Sequence, residues 1–196
     1  CERRCYWIKT SSSCVNTHTF RTDTFIGIND TYQDNYLRIL DYYGVEYADS
    51  NFEQEVKELD VFFVRTGHPR APRFYIMKWL TDYITEYGID GYRVDTVKHT
   101  EEFVWQEFRA ECDYAFEEFK KNNPEKVLDH NGFYLVGEVY NFGISSGKAF
   151  DFGDKKVNYY DRAFNSLLNF EIKWDAKNSD VTTVFNKYDA ILNSDL

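Results

Sequence analysis

Apolar residues recur at helical spacing in four segments of the chain and form short continuous runs in three others. Positions three and four apart predict helices over residues 52–63, 73–87, 101–121 and 180–192. Pro72 precedes the second of these helices and Gly88 follows it, which are common signals for a helix start and stop. The apolar runs predict strands over residues 90–95, 133–138 and 167–172. This alternation of helices and strands predicts an α/β fold whose parallel strands are joined by crossover helices.

The apolar spacing also predicts which face of each helix is buried. For the helix over residues 73–87 the predicted stripe is Ile76, Leu80, Tyr83, Ile84 and Tyr87. For the helix over residues 101–121 it is Trp105, Phe108, Cys112, Ala115, Phe116 and Phe119. Asp180 is predicted to cap the last helix, because an aspartate at the start of a helix accepts hydrogen bonds from backbone amides of the first turn.

The first part of the chain has little periodicity outside its one short helical segment. Clusters of Ser, Asn, Asp and Thr predict loops there. We therefore predict two parts, a loop-rich part over residues 1–68 and an α/β part over residues 69–196. Four residues in the first part have the spacing C-x3-C-x8-C-x3-H, namely Cys1, Cys5, Cys14 and His18. This spacing is compatible with zinc, with a disulfide or with free thiols, and the sequence leaves all three open.

Composition narrows the classes of partner. The chain has 196 residues and a net charge of -10, which argues against non-specific binding to a nucleic acid backbone. No run approaches the roughly 18 apolar residues of a membrane span, so no membrane partner is predicted. Aromatic residues make up 19% of the chain. Aromatic side chains on an acidic surface suit a neutral ligand, and sugars are the common example.

Two of the predicted strands end in an acidic residue, Asp95 and Glu138. One helical crossover separates them, so the strands are predicted to be parallel neighbours. Active sites of parallel α/β folds lie at the carboxyl ends of strands. Neighbouring strands run about 4.8 Å apart, so the two carboxylates are predicted to approach about 5–5.5 Å, the separation of a retaining glycosidase. The alternative is a solvated pair of acids at strand ends.

The neighbours of the two acids fit a division of roles between them. Arg93 lies two residues before Asp95 and on the same face of the strand, so we predict that it keeps Asp95 ionised. The charge of Asp95 is predicted to raise the pKa of Glu138 and to keep its proton in place.

The residues around both acids resemble two motifs of the α-amylase family of glycoside hydrolases (family 13). Gly91 to His99 (GYRVDTVKH) is similar to the fourth-strand motif of that family, G-[FY]-R-x-D-x-x-K-H. Phe133 to Tyr140 (FYLVGEVY) is similar to its fifth-strand motif, an apolar run that ends in Gly-Glu. The two motifs occur in the family's order and separation, which is more specific than either alone. The resemblance extends from about Pro69 to Ala176.

The resemblance implies a (β/α)8 barrel that cleaves α-1,4-glucans with retention of configuration. It implies that Asp95 is the nucleophile, that Glu138 is the acid/base, and that Arg93 orients the nucleophile. It also implies α-glucan as the substrate, a secreted or periplasmic location, and calcium as a cofactor.

The resemblance also implies a set of substrate-binding residues beyond the two acids, namely Lys98, His99, Tyr140 and Asn141. Lys98 and His99 match a pair that contacts glucose units on the leaving-group side. The backbone carbonyl of His99 matches a position that binds calcium in the family.

The chain departs from the family at two other motifs. It has no His-Asp dipeptide, which carries a third carboxylate in the family, and no Asn-His dipeptide, which belongs to the third-strand motif. A complete barrel takes about 250 residues. We therefore expect a fragment with barrel strands four to six and their helices, preceded by the remnant of an insertion. As an isolated chain it is expected to be inactive.

Three alternatives to an α-amylase stay open at this point. A transglycosylase or an α-glucosidase of the same family shares both motifs. A glucan-binding fragment without turnover would keep them as well. A nucleotide-binding domain ranks last, since the chain has neither G-x-G-x-x-G nor G-x-x-x-x-G-K-[ST].

Overall fold

A computed structural model describes residues 50–194 of the chain. Its helices are α1 (Ser50–Thr66), α2 (Pro72–Tyr87), α3 (Glu102–Asn122), α4 (Glu171–Asn178) and α5 (Val181–Leu192). Its strands are β1 (Gly91–Val94), β2 (Tyr134–Gly137), β3 (Ala149–Asp151), β4 (Lys156–Asn158) and β5 (Ser166–Leu167). The chain divides into two compact units. The described part of the first holds residues 50–89 and Tyr114–Lys126, and that of the second holds Asp90–Asp113 and residues 127–194.

In the first unit, α1 and α2 pack through aromatic side chains. The rings of Phe63 and Tyr75 have centroids 5.0 Å apart, and the His68 ring stacks on Phe74 at 3.9 Å. Gly88 ends α2 in a left-handed conformation, with its amide donating to the Ile84 carbonyl at 2.9 Å. The predicted stop at Gly88 is confirmed.

The predicted buried face of α2 is wrong except at one residue. The buried residues are Phe74, Tyr75, Met77, Lys78, Thr81 and Ile84. Ile76, Tyr83 and Tyr87 are exposed. Large apolar and aromatic residues occupy two adjacent stripes of this helix, and both stripes satisfy helical spacing. Periodicity alone does not show which stripe is buried. The stripe with Phe74 and Tyr75 is buried because these rings contact His68 and Phe63.

The second unit contains a three-stranded parallel sheet in the order β1-β2-β5. Gly91 pairs with Tyr134 and Val94 pairs with Gly137, so the predicted parallel neighbours are confirmed. The Tyr92 ring contacts Phe108 of α3 at 6.0 Å and Phe133 at 5.5 Å. These contacts join the sheet to the crossover helix within this unit.

The predicted strand over residues 167–172 is wrong beyond its first residue. Strand β5 ends at Leu167, and α4 begins at Glu171. The Asn169 side chain accepts hydrogen bonds from the amides of Ile144 and Glu171, at 3.3 and 3.2 Å. The bond from Glu171 turns the backbone towards the helix, and the bond from Ile144 ties this turn to a distant loop; an apolar run reveals neither bond.

A β-hairpin formed by β3 and β4 was not predicted from the sequence. The two strands pair antiparallel, with Phe150 opposite Val157. Gly153 in the connecting turn has a φ of 92°, which favours glycine. At the end of the chain, Asp180 accepts a hydrogen bond from the Thr183 amide at 3.1 Å and caps α5, as predicted.

The described fold is a mixture of helices and parallel strands, and its main sheet is small and open. The partial barrel and the boundary at residue 68 stay predictions. Cys1, Cys5, Cys14 and His18 lie outside the described residues. Cys112 is a buried free cysteine, and burial raises the pKa of its thiol. In the part of the chain that the structure describes, no helix is long and apolar enough to cross a membrane.

Candidate active site

Strands β1 and β2 bring Asp95 and Glu138 to the same edge of the sheet. The last paired residues are Val94 and Gly137, and the two acids follow them directly. The Glu138 amide donates to the Val94 carbonyl at 2.8 Å, and the Val97 amide donates to the Glu138 carbonyl at 3.0 Å. The backbone ladder thus continues past both strand ends and fixes the two acids side by side.

Arg93 lies between the two carboxylates and contacts both. Its Nη2 atom donates to Oε2 of Glu138 at 2.9 Å, and its Nη1 atom is 3.4 Å from Oδ2 of Asp95. The predicted pairing with Asp95 is present, but the shorter contact is with Glu138. The Asp95 side chain is 64% exposed and that of Glu138 is 21% exposed, so the nearer carboxylate is also the more covered one.

The two carboxyl groups shift each other's pKa in opposite directions. The hydrogen bond from Glu138 lowers the pKa of Asp95, and Arg93 lowers it further. The same hydrogen bond raises the pKa of Glu138, and desolvation adds to the effect. These directions favour the ionised form of Asp95 and the protonated form of Glu138.

The backbone on both sides of the pair is held in uncommon conformations. Thr96 and Asn141 have φ angles of 53° and 67°, in the left-handed region that costs a residue with a side chain about 1 kcal/mol or more. The Thr96 amide lies beside both carboxylates and lowers the pKa of each. Strain of this kind gathers at functional sites, where the surroundings hold the backbone in place.

The structure places the four predicted substrate-binding residues differently. Lys98 and His99 lie in a short 3-10 turn over Val97–His99, and both are buried. Lys98 is only 6% exposed, its Nζ atom donates to the Tyr140 carbonyl at 3.4 Å, and burial lowers its pKa. Tyr140 is 55% exposed, and Asn141 is exposed. Only the last two reach the surface as sugar-contacting residues would.

Calcium takes six to eight oxygen ligands. The residues that the structure describes contain no group of three or more His, Cys, Asp or Glu side chains that could hold a metal ion. The described residues therefore show no such group of side chains that could bind calcium together with the predicted His99 carbonyl. Calcium at this carbonyl stays a prediction.

Two aromatic residues of the site were not predicted from the sequence. Phe150 lies in the β3–β4 hairpin, and its ring is near the amine of Lys98. Phe170 meets the Tyr140 ring edge to face, with centroids 5.4 Å apart. Neither residue belongs to a motif. Folding brings Phe150 near Lys98, which follows Asp95, and Phe170 near Tyr140, which follows Glu138.

Comparison with known proteins finds a relative in sequence and a weaker likeness in structure. No family model matches the chain. The chain is 37% identical over 106 residues to the periplasmic alpha-amylase of Escherichia coli (strain K12), a match that covers 54% of this chain and 14% of that protein. A crystal structure of an Anoxybacillus alpha-amylase matches with a TM-score of 0.41 and 22% identity, over 61% of this chain and 24% of that one.

The chain therefore spans about one seventh of the length of the curated relative. Over the matched stretch, the predicted resemblance to the α-amylase family of glycoside hydrolases is confirmed.

Proposed function

We propose that the chain supplies the nucleophile and the acid/base of a retaining glycoside hydrolase that cleaves α-1,4-glucosidic bonds. The observation that carries this proposal is the placement of Asp95 and Glu138 at the ends of adjacent parallel strands, with Arg93 in contact with both carboxylates. An ionised carboxylate and a protonated carboxylic acid on one site are the two groups that this chemistry needs. The similarity to an alpha-amylase supports α-glucan as the substrate.

In the first step, an Asp95 carboxylate oxygen attacks the anomeric carbon of the sugar. The bond from that carbon to the leaving sugar oxygen breaks, and Glu138 transfers its proton to this oxygen. The product is a glycosyl ester of Asp95, and Arg93 remains beside the carboxylate left on Glu138.

In the second step, Glu138 acts as a base. It takes a proton from water, and the water oxygen attacks the anomeric carbon. The ester bond to Asp95 breaks and restores the carboxylate. Two displacements at one carbon retain its configuration, and Glu138 ends the cycle protonated as it began.

We further propose that this chain is one part of a larger catalytic domain and has little activity alone. The family's third carboxylate motif is missing from the sequence. An oxocarbenium-like transition state needs charge stabilisation from several sides. Among residues 50–194, the main sheet is also open at β1 and β5, and further strands would cover these two edges. The relative is named periplasmic, and we extend a secreted or periplasmic location to this protein.

Two related functions and one other class compete with α-amylase activity. A transglycosylase passes the glycosyl unit from Asp95 to a sugar hydroxyl instead of water. An α-glucosidase removes single glucose units from chain ends. A glucan-binding fragment binds without turnover. The products formed from maltoheptaose distinguish the four, since only hydrolysis at internal bonds gives several short oligosaccharides at once.

The experiment compares maltoheptaose hydrolysis by the full-length protein that carries this sequence and by the 196-residue chain. Asp95→Asn should abolish hydrolysis, because an amide does not attack the anomeric carbon. Glu138→Gln should do so for maltoheptaose but much less for formation of the glycosyl ester from an activated aryl glycoside, whose leaving group needs no proton. Asp90→Asn, at the amino side of β1, is the matched control. Near-normal hydrolysis in both site variants would refute the roles.

A further inference from the structure

The loop that follows Glu138 is held at its far end by the carboxylate of one residue on α4. Oε2 of Glu171 accepts a hydrogen bond from the Ser145 amide at 3.1 Å, and its Oε1 accepts one from the Lys187 amine at 2.9 Å. Glu171 is the first residue of α4, and Lys187 belongs to α5. This carboxylate therefore connects the loop over residues 139–146 with both helices that follow β5.

The two residues before Glu171 hold the middle of the same loop. The Phe170 amide donates to the Phe142 carbonyl at 2.9 Å. The Ile144 amide donates to Oδ1 of Asn169 at 3.3 Å. Three consecutive residues after β5 thus hold the loop at three points, and Glu171 provides the last of these.

The loop needs such anchors because it contains a strained turn. Asn141 has a φ of 67°, in the left-handed region that is unfavourable for a residue with a side chain. The Phe142 amide donates to the Val139 carbonyl at 2.8 Å and closes this turn directly after Glu138. Strained backbone persists only where its surroundings hold it. If the far end of the loop is released, the turn relaxes, and the acid next to Val139 moves with it.

We propose that Glu171 is a positioning residue for the acid/base Glu138, and that it acts through the Ser145 amide and the loop over residues 139–146. The inference rests on the proposed function, because it assigns Glu171 a role in the step in which Glu138 protonates the leaving oxygen. It concerns the backbone of the loop and adds no contact with the sugar.

The surroundings of Glu171 keep its carboxylate charged. Burial raises the pKa of Glu171, but hydrogen bonds from Lys187 and Ser145 outweigh burial, and the net pKa lies below its ordinary value. The Glu171 side chain is 24% exposed, so water competes only partly with these bonds. A charged acceptor also binds a backbone amide more strongly than a neutral acceptor does. The carboxylate is therefore a firm anchor for the Ser145 amide.

Asp175 offers a matched control one turn further along α4. Its Oδ2 atom accepts hydrogen bonds from the Lys187 amine at 2.7 Å and from the Tyr188 hydroxyl at 2.6 Å. Both donors lie on α5, and the Asp175 side chain is 24% exposed, as is that of Glu171. Loss of either carboxylate weakens the contact between α4 and α5, whereas loss of Glu171 also releases the Ser145 amide.

The test compares kcat/KM of the full-length protein for maltoheptaose and for α-maltosyl fluoride, whose fluoride leaves without a proton. Glu171→Ala should lower kcat/KM about ten-fold for maltoheptaose, out of the roughly 10²–10⁴-fold that a positioned acid contributes, and less than about two-fold for the fluoride. Asp175→Ala should leave the ratio of the two values unchanged. Glu171→Gln keeps an oxygen acceptor for the Ser145 amide and should restore most of the loss. Equal losses on both substrates in Glu171→Ala, no rescue by Glu171→Gln, or the same selective loss in Asp175→Ala would overturn the proposal.

A second variant tests the same contact even if Glu171→Ala does not fold. A Cβ atom at Gly143 would lie 3.2 Å from Oε2 of Glu171, so Gly143→Ala pushes the carboxylate away from the loop and leaves the charges of Glu171 and Lys187 in place. It should lower kcat/KM about three-fold for maltoheptaose and leave that for α-maltosyl fluoride unchanged. Unchanged values for both substrates would overturn the proposal.

These outcomes are distinguishable from failure of the proposed function. If Asp95→Asn abolishes hydrolysis in the full-length protein while Glu171→Ala affects both substrates equally, only the positioning role is wrong. If Asp95→Asn hydrolyses maltoheptaose normally, the proposed function is wrong, and the positioning role is wrong with it.

Discussion

Two glycines at helix ends allow the cost of a steric clash to be separated from the cost of backbone strain. Gly67 follows α1 and Gly88 follows α2, and both have a φ of 67°. The Gly67 amide donates to the Phe63 carbonyl, as the Gly88 amide does to Ile84. The difference lies in the space around them. A Cβ atom at Gly88 would be 2.1 Å from Cζ of Phe119, whereas one at Gly67 has nothing within 4 Å.

The expected losses in the free energy of unfolding follow from this geometry. An alanine in the left-handed region costs about 1–2 kcal/mol, and the lower entropy of its unfolded chain returns about 0.4–1 kcal/mol. Gly67→Ala should therefore cost about 0.5–1 kcal/mol. Gly88→Ala must also displace the buried Phe119 ring, and overpacking adds about 1–3 kcal/mol. Its total loss is about 1.5–4 kcal/mol, a large share of the roughly 5–15 kcal/mol that stabilise a typical domain.

The assay is urea unfolding of the chain and both variants, followed by far-ultraviolet circular dichroism. The midpoint of Gly88→Ala should fall well below that of Gly67→Ala at an unchanged slope. Equal losses in the two variants would show that the Phe119 ring does not fill the space behind Gly88. That result would contradict the packing described for the first unit.

Two further predictions concern the candidate site. Gly137→Ala should lower the free energy of unfolding by about 1–3 kcal/mol in a urea titration, because its Cβ atom would lie 2.9 Å from Leu167 and 3.0 Å from Phe164. A loss smaller than that of Gly67→Ala would argue against this packing. Asp95→Asn should lower the pKa of Glu138 in a carbon-13 carboxyl titration, because the hydrogen bond with Asp95 is the largest cause that raises it. Since a raised pKa makes the folded state bind a proton more tightly than the unfolded state, Glu138 stabilises the chain at low pH, and this contribution falls as pH rises from the ordinary to the raised pKa. Asp95→Asn should flatten that decline, and an unchanged decline would contradict Asp95 as the main cause of the raised Glu138 pKa.

The elements with strong local signals could be predicted from the sequence. Proline, glycine and aspartate mark where α2 begins and ends and where α5 starts, because each acts on its own backbone. The pairing of β1 with β2 followed from one crossover between two apolar runs. Both acids therefore had a predictable place, since the last residues of parallel strands meet at one edge.

The rest depended on contacts that no local pattern contains. The buried face of α2 depends on which aromatic stripe contacts other parts of the chain. In the sequence, Ile76 and Tyr83 fit a buried stripe as well as Phe74 does, but only Phe74 is buried. The turn at Asn169 depends on amides 25 and two residues away. The surroundings of Lys98 include Phe150 of a hairpin that begins 51 residues later, at Ala149, and its predicted contact with sugar stays a prediction.

The central claim is that Asp95 is a nucleophile and Glu138 its acid/base partner. A 5-fluoro-α-maltosyl fluoride tests it most directly, because fluoride leaves without a proton and the fluorine at C5 slows the oxocarbenium-like steps. Attack by Asp95 forms a bond to the anomeric carbon as the C–F bond breaks, and the ester accumulates. Mass spectrometry of the digested full-length protein should find the maltosyl group on Asp95, and not in Asp95→Asn. A label on Glu138, or turnover without any label on Asp95, would contradict the account.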